Sequence, residues 1–221
     1  MKLILKKHNY TGRLIVFEGT DGAGKTTLIE LTKEFLAPVI SAENIVITKQ
    51  PTDMSRNTKL FQKMMYCKNK DNVDYRAVQL LTMSDRIQHN FEEIEPALRG
   101  GKAVICDRYI YTSLANMLAR GYAEEKWFFD VACNLTEPDI VFLASAPPEL
   151  AITRIKNRPK EFRRHLDEGL LKEVARKFLA VSKQYKFINL DTTGSPSMPF
   201  EIIKANLERL KPAISINGGI K

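Results

Sequence analysis

The chain has 221 residues, 44% of them hydrophobic and 27% charged, with a formal net charge of +8. That balance suits one soluble domain over 1–221 with a sizeable core, and no apolar run reaches the length of a membrane span. The apolar stretch within residues 1–7 is too short for a secretory signal, and Cys67, Cys106 and Cys133 are too few and scattered for a disulfide framework or metal site, which points to reduced thiols in the cytoplasm.

The first predicted strand, 13–18, contains Leu14-Ile15-Val16-Phe17 and runs into Gly19-Thr20-Asp21-Gly22-Ala23-Gly24-Lys25-Thr26. A helix over 24–37 follows. This is a phosphate loop in the strand–helix context it needs. Glycines let backbone N–H groups turn inward as an anion nest, and the helix N-terminus adds its positive dipole end. Lys25 is expected to reach the outer phosphates of a nucleoside triphosphate, and the Thr26 hydroxyl to hold Mg²⁺. Gly19, Asp21, Gly22, Ala23, Gly24 and Thr27 complete the expected nucleotide-binding set. No Asn-Lys-x-Asp run reads guanine, so the donor is taken as ATP.

A strand at 44–48 and a helix at 55–66 come next. The helix predicted over 74–99 carries Leu80, Met83, Ile87, Phe91, Ile94 and Leu98 at steps of three and four, read as one buried stripe, and Gly100-Gly101 ends it. Strand 102–106 then delivers Asp107-Arg108-Tyr109 to the sheet edge that carries the phosphate loop. Asp107 suits a second Mg²⁺-organising position, and Arg108 suits a phosphate.

Helices at 110–120 and 123–133, a strand at 139–143, helices at 147–157 and 166–184, a strand at 186–190 and a helix at 198–210 complete the alternation. The tail from Pro212 is expected to fray. Such alternation predicts an α/β fold, a parallel sheet with helices on both faces, strands buried on both sides and ligands at the strand carboxyl ends. Much of the basic excess is local: Arg154, Lys156, Arg158, Lys160, Arg163 and Arg164 face only Glu161. With Phe162 the one aromatic there, the stretch does not read as a nucleic-acid surface, and no nucleic-acid or membrane partner is expected.

The segments Phe17 to Thr27, Thr48 to Asp53, Gln79 to Arg86, Glu95 to Leu98 and Ala103 to Tyr109 together resemble the thymidylate kinase family over roughly 13–210. The resemblance implies a three-layer P-loop kinase fold with a five-stranded parallel sheet and a short lid at about 154–166. It implies a homodimer that moves the γ-phosphoryl of Mg·ATP to dTMP. By the same resemblance Asp21 contacts the acceptor sugar, Arg108 its phosphate and Arg86 its base. Tyr109, Thr112, Ser113 and Asn116 belong to the acceptor site. Gly22 places the chain among members whose catalytic arginine sits in the lid. Arg154 and Arg158, four apart on one helix face, are preferred there over Arg163 and Arg164.

The chain departs from the family at Thr82, where a ring usually stacks on the base; Tyr111 or Phe61 are candidate substitutes. Asn116 replaces an aromatic near the sugar, Ala144-Ser145 alters a strand-end motif, and Lys49 stands for an arginine. A kinase of the same fold with another acceptor, or a nucleic-acid-stimulated ATPase, are the competing readings.

Overall fold

The computed structural model describes residues 1–67, 72–158 and 166–214. Five strands form one parallel sheet: β1 (Arg13–Glu18), β2 (Ile45–Lys49), β3 (Ala103–Asp107), β4 (Ile140–Ser145) and β5 (Ile188–Asp191), in the order β2-β3-β1-β4-β5. β1 and β3, Val- and Ile-rich, lie in the middle, and their inner residues are buried on both faces. β2 and β5 are edge strands and stay half exposed, so burial on both sides holds for the central strands but not for these two. Registers Phe17↔Asp107 and Lys49↔Asp107 bring three strand ends to one level. The strand order reverses between β1 and β3, which opens a crevice at their carboxyl ends.

Helices cover both faces: α1 (Lys25–Ile40), α2 (Asp53–Arg56), α3 (Lys59–Tyr66), α4 (Tyr75–His89), α5 (Glu95–Arg99), α6 (Ile110–Ala119), α7 (Lys126–Ala132), α8 (Pro148–Lys156), α9 (Glu168–Tyr185) and α10 (Ser197–Ile214). One core layer joins Val16, Val104 and Cys106 to α4, α6 and α9. The other joins Ile15, Phe17 and Ile105 to α1 and α10. The predicted helix 55–66 is two helices, because the Thr52 and Thr58 side chains each cap a new N-terminus. The helix expected over 74–99 continues from α4 into α5 through a π-helical turn, Asn90–Ile94. α10 extends through Pro212 to Ile214. Lid residues Lys160, Glu161, Phe162, Arg163 and Arg164 lie outside the described residues, as does the tail beyond 214.

The buried stripe expected along 74–99 is corrected. Met83, Ile94 and Leu98 are buried, but Leu80 is 54% and Phe91 71% exposed. The buried face instead carries Tyr75, Val78, Gln79, Thr82, Asp85, Arg86 and His89. Asp85 explains part of this polarity: its carboxylate accepts the N–H groups of Thr52 and Ser55 and holds α2 against α4.

Two glycines fix the phosphate loop against its surroundings. Gly19 has φ +137°, and a Cβ there would lie 2.4 Å from the Ala144 carbonyl oxygen. Gly22 has φ +78°, and a Cβ would lie 2.3 Å from the Ala151 carbonyl oxygen of α8. Neither backbone neighbour can swing aside. Gly121 has a similar φ, +83°, with nothing within 4 Å of a Cβ. Gly121→Ala is therefore expected to cost the backbone strain alone, about 1 kcal/mol, and Gly22→Ala at least ~1 kcal/mol more. In thermal melts the second variant should melt roughly 2–4 °C or more below the first. Equal melting temperatures would show that α8 yields freely.

Candidate active site

The site forms where β1 and β3 end. Glu18, the last residue of β1, is fully buried. Its carboxylate accepts the backbone N–H groups of Tyr109 (2.9 Å) and Thr112 (3.0 Å) and the Thr112 hydroxyl. Burial pushes its pKa up, while the bond from Thr112 and the charge of Arg108 oppose that push. A strand-end carboxylate thus supplies the acceptor that the α6 N-terminus needs.

Beyond Glu18 the phosphate loop curls over the buried Lys25. Its ammonium donates to the Gly19 and Thr20 carbonyls at 3.1 and 3.0 Å. Burial, and then the positive charge of Arg108, lower its pKa to about 8 against the pull of Asp107, Asp21 and Glu18. The ammonium is thus held inside its own loop, where an anion seated on the loop would meet it. Gly22, Gly24, Lys25 and Thr26 line the cleft together with Asp21. Gly19 serves through its carbonyl, Ala23 is buried with its carbonyl accepting from the Thr192 hydroxyl, and Thr27 points away on the exposed side of α1.

Asp107 lines the cleft beside Thr26. Its Oδ1 is buried and has no hydrogen-bond partner. An orphaned carboxylate oxygen and a neighbouring hydroxyl are hard oxygen donors, the set that suits Mg²⁺, a cation that keeps several waters. Among the described residues no cluster of three or more His, Cys, Asp or Glu forms an all-protein cage. The pair therefore fits Mg²⁺ held with phosphate oxygens rather than a resident structural metal.

Arg108 has φ +69° and donates its N–H to the Phe17 carbonyl at 2.8 Å. The left-handed backbone turns its side chain back over the loop. One guanidinium nitrogen donates to the Gly19 carbonyl (2.8 Å) and the Thr112 hydroxyl (3.1 Å), and the other to the Asp21 carboxylate. Burial works against the charge of Arg108, but Asp21, Asp107 and Glu18 outweigh it and raise the pKa.

The cleft, about 410 Å³, continues from the phosphate loop to the gap between α4 and α6. Arg86 faces it and is 1% exposed. It donates to the Thr82 and Tyr109 carbonyls, and its Nε is buried with no partner. Burial lowers its pKa, with Glu18 and Asp85 opposing. Thr82, Thr112, Ser113 and Asn116 all reach the same wall. The Thr82 hydroxyl donates to the Gln79 carbonyl, and the Asn116 amide oxygen accepts from Arg120, whose guanidinium lies 4.0 Å over the Tyr75 ring.

Three sequence expectations are corrected by placement. The Tyr109 side chain does not reach the cleft. It is buried in the core, its hydroxyl donating to the Thr136 carbonyl and Asn90, so only its backbone serves the site. Arg154 does not line the cleft either: it donates to the carbonyls of Gly22 (3.3 Å) and Thr192 (2.8 Å), fastening α8 to the loop. Arg158 does line the cleft, but α8 ends at Lys156, so the shared helix face fails. Of the proposed aromatic substitutes, Phe61 lines the cleft, whereas Tyr111 packs in the core against Tyr185 and Phe187.

Sequence reasoning missed Glu18, Gln79 and Arg56 as cleft builders. Glu18 sat in plain view, one residue before the loop, as a charged residue ending an apolar strand. Arg56 was hidden inside a helix drawn as continuous.

A family model described as Thymidylate kinase matches residues 17–199. A probable thymidylate kinase of Pyrococcus abyssi is 35% identical over 181 residues, covering 79% of this chain and 85% of its own. A thymidylate kinase of Lactobacillus helveticus is 32% identical over 211 residues, covering 92% and 99%. The crystal structure of thymidylate kinase from Ehrlichia chaffeensis superposes with a TM-score of 0.61 at 24% identity, over 88% of this chain and 98% of that one, and so shares the fold. With a phosphate loop, a strand-end Asp-Arg and a cleft between α4 and α6 in one crevice, and a family model spanning most of its length, this chain belongs to the thymidylate kinase family.

Proposed function

We propose that this protein transfers the γ-phosphoryl group of Mg·ATP to dTMP, giving dTDP and ADP. One observation carries the reading: a single cleft runs from the phosphate loop, past the Asp21–Arg108 pair, to the buried Arg86 and its polar neighbours. Donor phosphates and an acceptor nucleotide thereby meet end to end. Phosphoryl transfer needs no covalent intermediate on the protein, because the acceptor phosphate oxygen is already ionised at neutral pH. The chain's task is positioning and neutralisation of charge. Lys25 leaves its loop carbonyls for the outer donor phosphates. Thr26 and Asp107 would hold Mg²⁺, which would supply charge neutralisation at the phosphate oxygens. Arg108 receives the acceptor phosphate, Asp21 the sugar hydroxyl and Arg86 the base. Arg158, in the expected lid segment and on the cleft wall, supplies the arginine for the developing charge. The Thr112 and Ser113 hydroxyls and the Asn116 amide line the acceptor wall.

The protein is further proposed to be a homodimer working in the cytoplasm, where its three free cysteines stay reduced. No described helix is long and apolar enough to cross a membrane. The second copy would cover the outward face of α4 and the π-helical turn after it, where Leu80 and Phe91 stand exposed with Ile87 between them.

An ADP-release assay with Mg·ATP against dTMP, dUMP, UMP, dCMP, dGMP, thymidine and no acceptor should show dTMP as the preferred acceptor. Lys25→Met should cut turnover at least ~10²-fold. Activity confined to another acceptor, or an indifferent Lys25 variant, would refute the reading.

The Lys25 pKa of about 8 sets a pH window. Below it the ammonium is charged before ligand arrives. Above it ATP binding must take up a proton, because the phosphates restore the charge. ATP affinity measured calorimetrically should thus fall above pH 8, by up to about tenfold per unit, and the fall should vanish in Lys25→Met. A flat wild-type profile to pH 9.5 would contradict the assignment.

Sedimentation at micromolar concentration should give a dimer for the wild type and a monomer for Phe91→Glu. A monomeric wild type would remove the dimer proposal.

A further inference from the structure

Among the described residues that line the cleft, glycines aside, only Arg108 has a left-handed backbone, at φ +69°. A residue with a Cβ keeps that conformation only where its surroundings over-determine it. The peptide that joins Arg108 to Tyr109 is what must be held. Its N–H donates to Glu18 at 2.9 Å, and its carbonyl accepts the Cys106 thiol at 3.0 Å, a weak donor. A third restraint comes from the far side of the peptide. The Tyr109 ring is fully buried, and its hydroxyl donates to the Thr136 carbonyl at 2.9 Å and lies 3.2 Å from the Asn90 amide oxygen. Burial pushes the phenol well above its usual pKa, so it stays a donor.

The partners of that hydroxyl are themselves fixed. Asn90 opens the π-helical turn between α4 and α5, and the wider turn lets Asn90, Ile94 and Glu95 all face inward. The Asn90 amide nitrogen donates to Glu95 at 3.1 Å, and its oxygen accepts the Thr136 N–H at 3.3 Å. Glu95 in turn accepts from Lys6 at 2.7 Å and Arg99 at 2.6 Å. Thr136 pairs with Lys6 in an isolated parallel bridge. The network thus runs from the N-terminal segment, ahead of the residues that the family model matches, to the backbone beside Arg108.

We propose that Tyr109 is a positioning residue for the acceptor: its hydroxyl, locked between Thr136 and Asn90, maintains the left-handed turn at Arg108 and so aims the guanidinium that receives the acceptor phosphate. The proposal rests on the dTMP-kinase reading above. Its physical basis is the shared peptide. Glu18 holds only the N–H end of that peptide, and a hydrogen bond tolerates a change of angle. Freed at the hydroxyl, the ring tilts and the peptide rotates to relieve the strain. The Arg108 side chain then swings away from Gly19 and Asp21, the two groups that now orient it. The base end is spared, because Arg86 keeps its bond to Thr82 within α4.

The test compares Tyr109→Phe, which keeps the ring and removes the hydroxyl, with Tyr10→Phe, which removes a hydroxyl that meets Glu95 at the outer rim of the same network. Thymidine serves as a competing ligand that lacks the phosphate. Tyr109→Phe should raise the KM for dTMP about tenfold, while the KM for ATP and the inhibition constant of thymidine stay within about threefold. Tyr10→Phe should leave all three within about threefold. Arg108→Gly should melt about 2 °C or more above Arg108→Ala, because only glycine meets this φ without strain. An unchanged dTMP KM in Tyr109→Phe overturns the role, whatever its melting temperature. So does a thymidine inhibition constant that weakens in step with dTMP, or a like KM rise in Tyr10→Phe, because either marks general loosening. Arg108→Gly melting at or below Arg108→Ala removes the strain on which the role depends. Absence of dTMP turnover in the wild type counts against the kinase reading itself, whereas turnover with an indifferent Tyr109→Phe counts against the Tyr109 role alone.

Discussion

The buried carboxylate of Glu18 is the constraint on which the site depends. It lies at the end of β1, immediately before the phosphate loop, and accepts three hydrogen bonds from Tyr109 and Thr112. Those bonds tie the start of α6 to the start of the loop. Removing a carboxylate from water is opposed by several kcal/mol, and bonds to a charged acceptor return roughly 1.5–3 kcal/mol each. The anchor is thus near balance by itself and stands because the surrounding cations favour its charge. What it secures is geometry. Arg108 is one residue from Tyr109, and the Tyr109 carbonyl is the rest on which Arg86 leans.

The charges around the phosphate loop and the cleft form one coupled set. Lys25, Arg56, Arg86 and Arg108 are set against Glu18, Asp21 and Asp107. Each carboxylate has its own task within the set. Glu18 fixes backbone, Asp21 orients Arg108, and Asp107 keeps an oxygen unpaired at the cleft wall. Lys25 and Arg86 are held by carbonyls, whereas Arg108 also pairs with the Asp21 carboxylate. Lys25 on Gly19 and Thr20 is the clearest case: a carbonyl holds an ammonium loosely enough for a polyphosphate to take it. A carboxylate in that place would compete with the nucleotide for the same charge.

The elements whose physics is local were legible in the sequence. Glycine spacing and the Lys-Thr pair marked the phosphate loop, and the apolar run ending in Asp107-Arg108 marked the facing strand. The five strands and their parallel sheet followed from alternation, while the strand order came only from the structure. The misses lie where a pattern has two physical origins. On α4 and the π-helical turn after it, the apolar positions Leu80 and Phe91 looked like core because hydrophobic periodicity does not say which partner a stripe faces. The true inner face is polar, since it lines the cleft and carries the Asp85 anchor for α2. Tyr109 sat beside two site residues in sequence, but the strand-to-helix turn sends its ring inward. Arg154 belonged to a basic cluster, yet two carbonyls from distant segments claim it. No spacing rule reports a bond spanning 132 or 38 residues.

Thr82 leaves the cleft wall between α4 and α6 without the ring that the family resemblance expects there. A threonine there cannot stack on a base, and its hydroxyl is turned onto the Gln79 carbonyl of its own helix. The apolar surface of the cleft is supplied instead from α3 and α9, by Phe61, Met64, Met65 and Phe178. The same α2–α3 segment brings Arg56 to the cleft, with Phe61 behind its guanidinium. Ring and charge thus arrive together on one segment, pinned to α4 by Asp85 through Thr52 and Ser55. Because Asp85 ties this segment to α4 through backbone N–H groups, ring and cation are set against the cleft wall by one buried carboxylate.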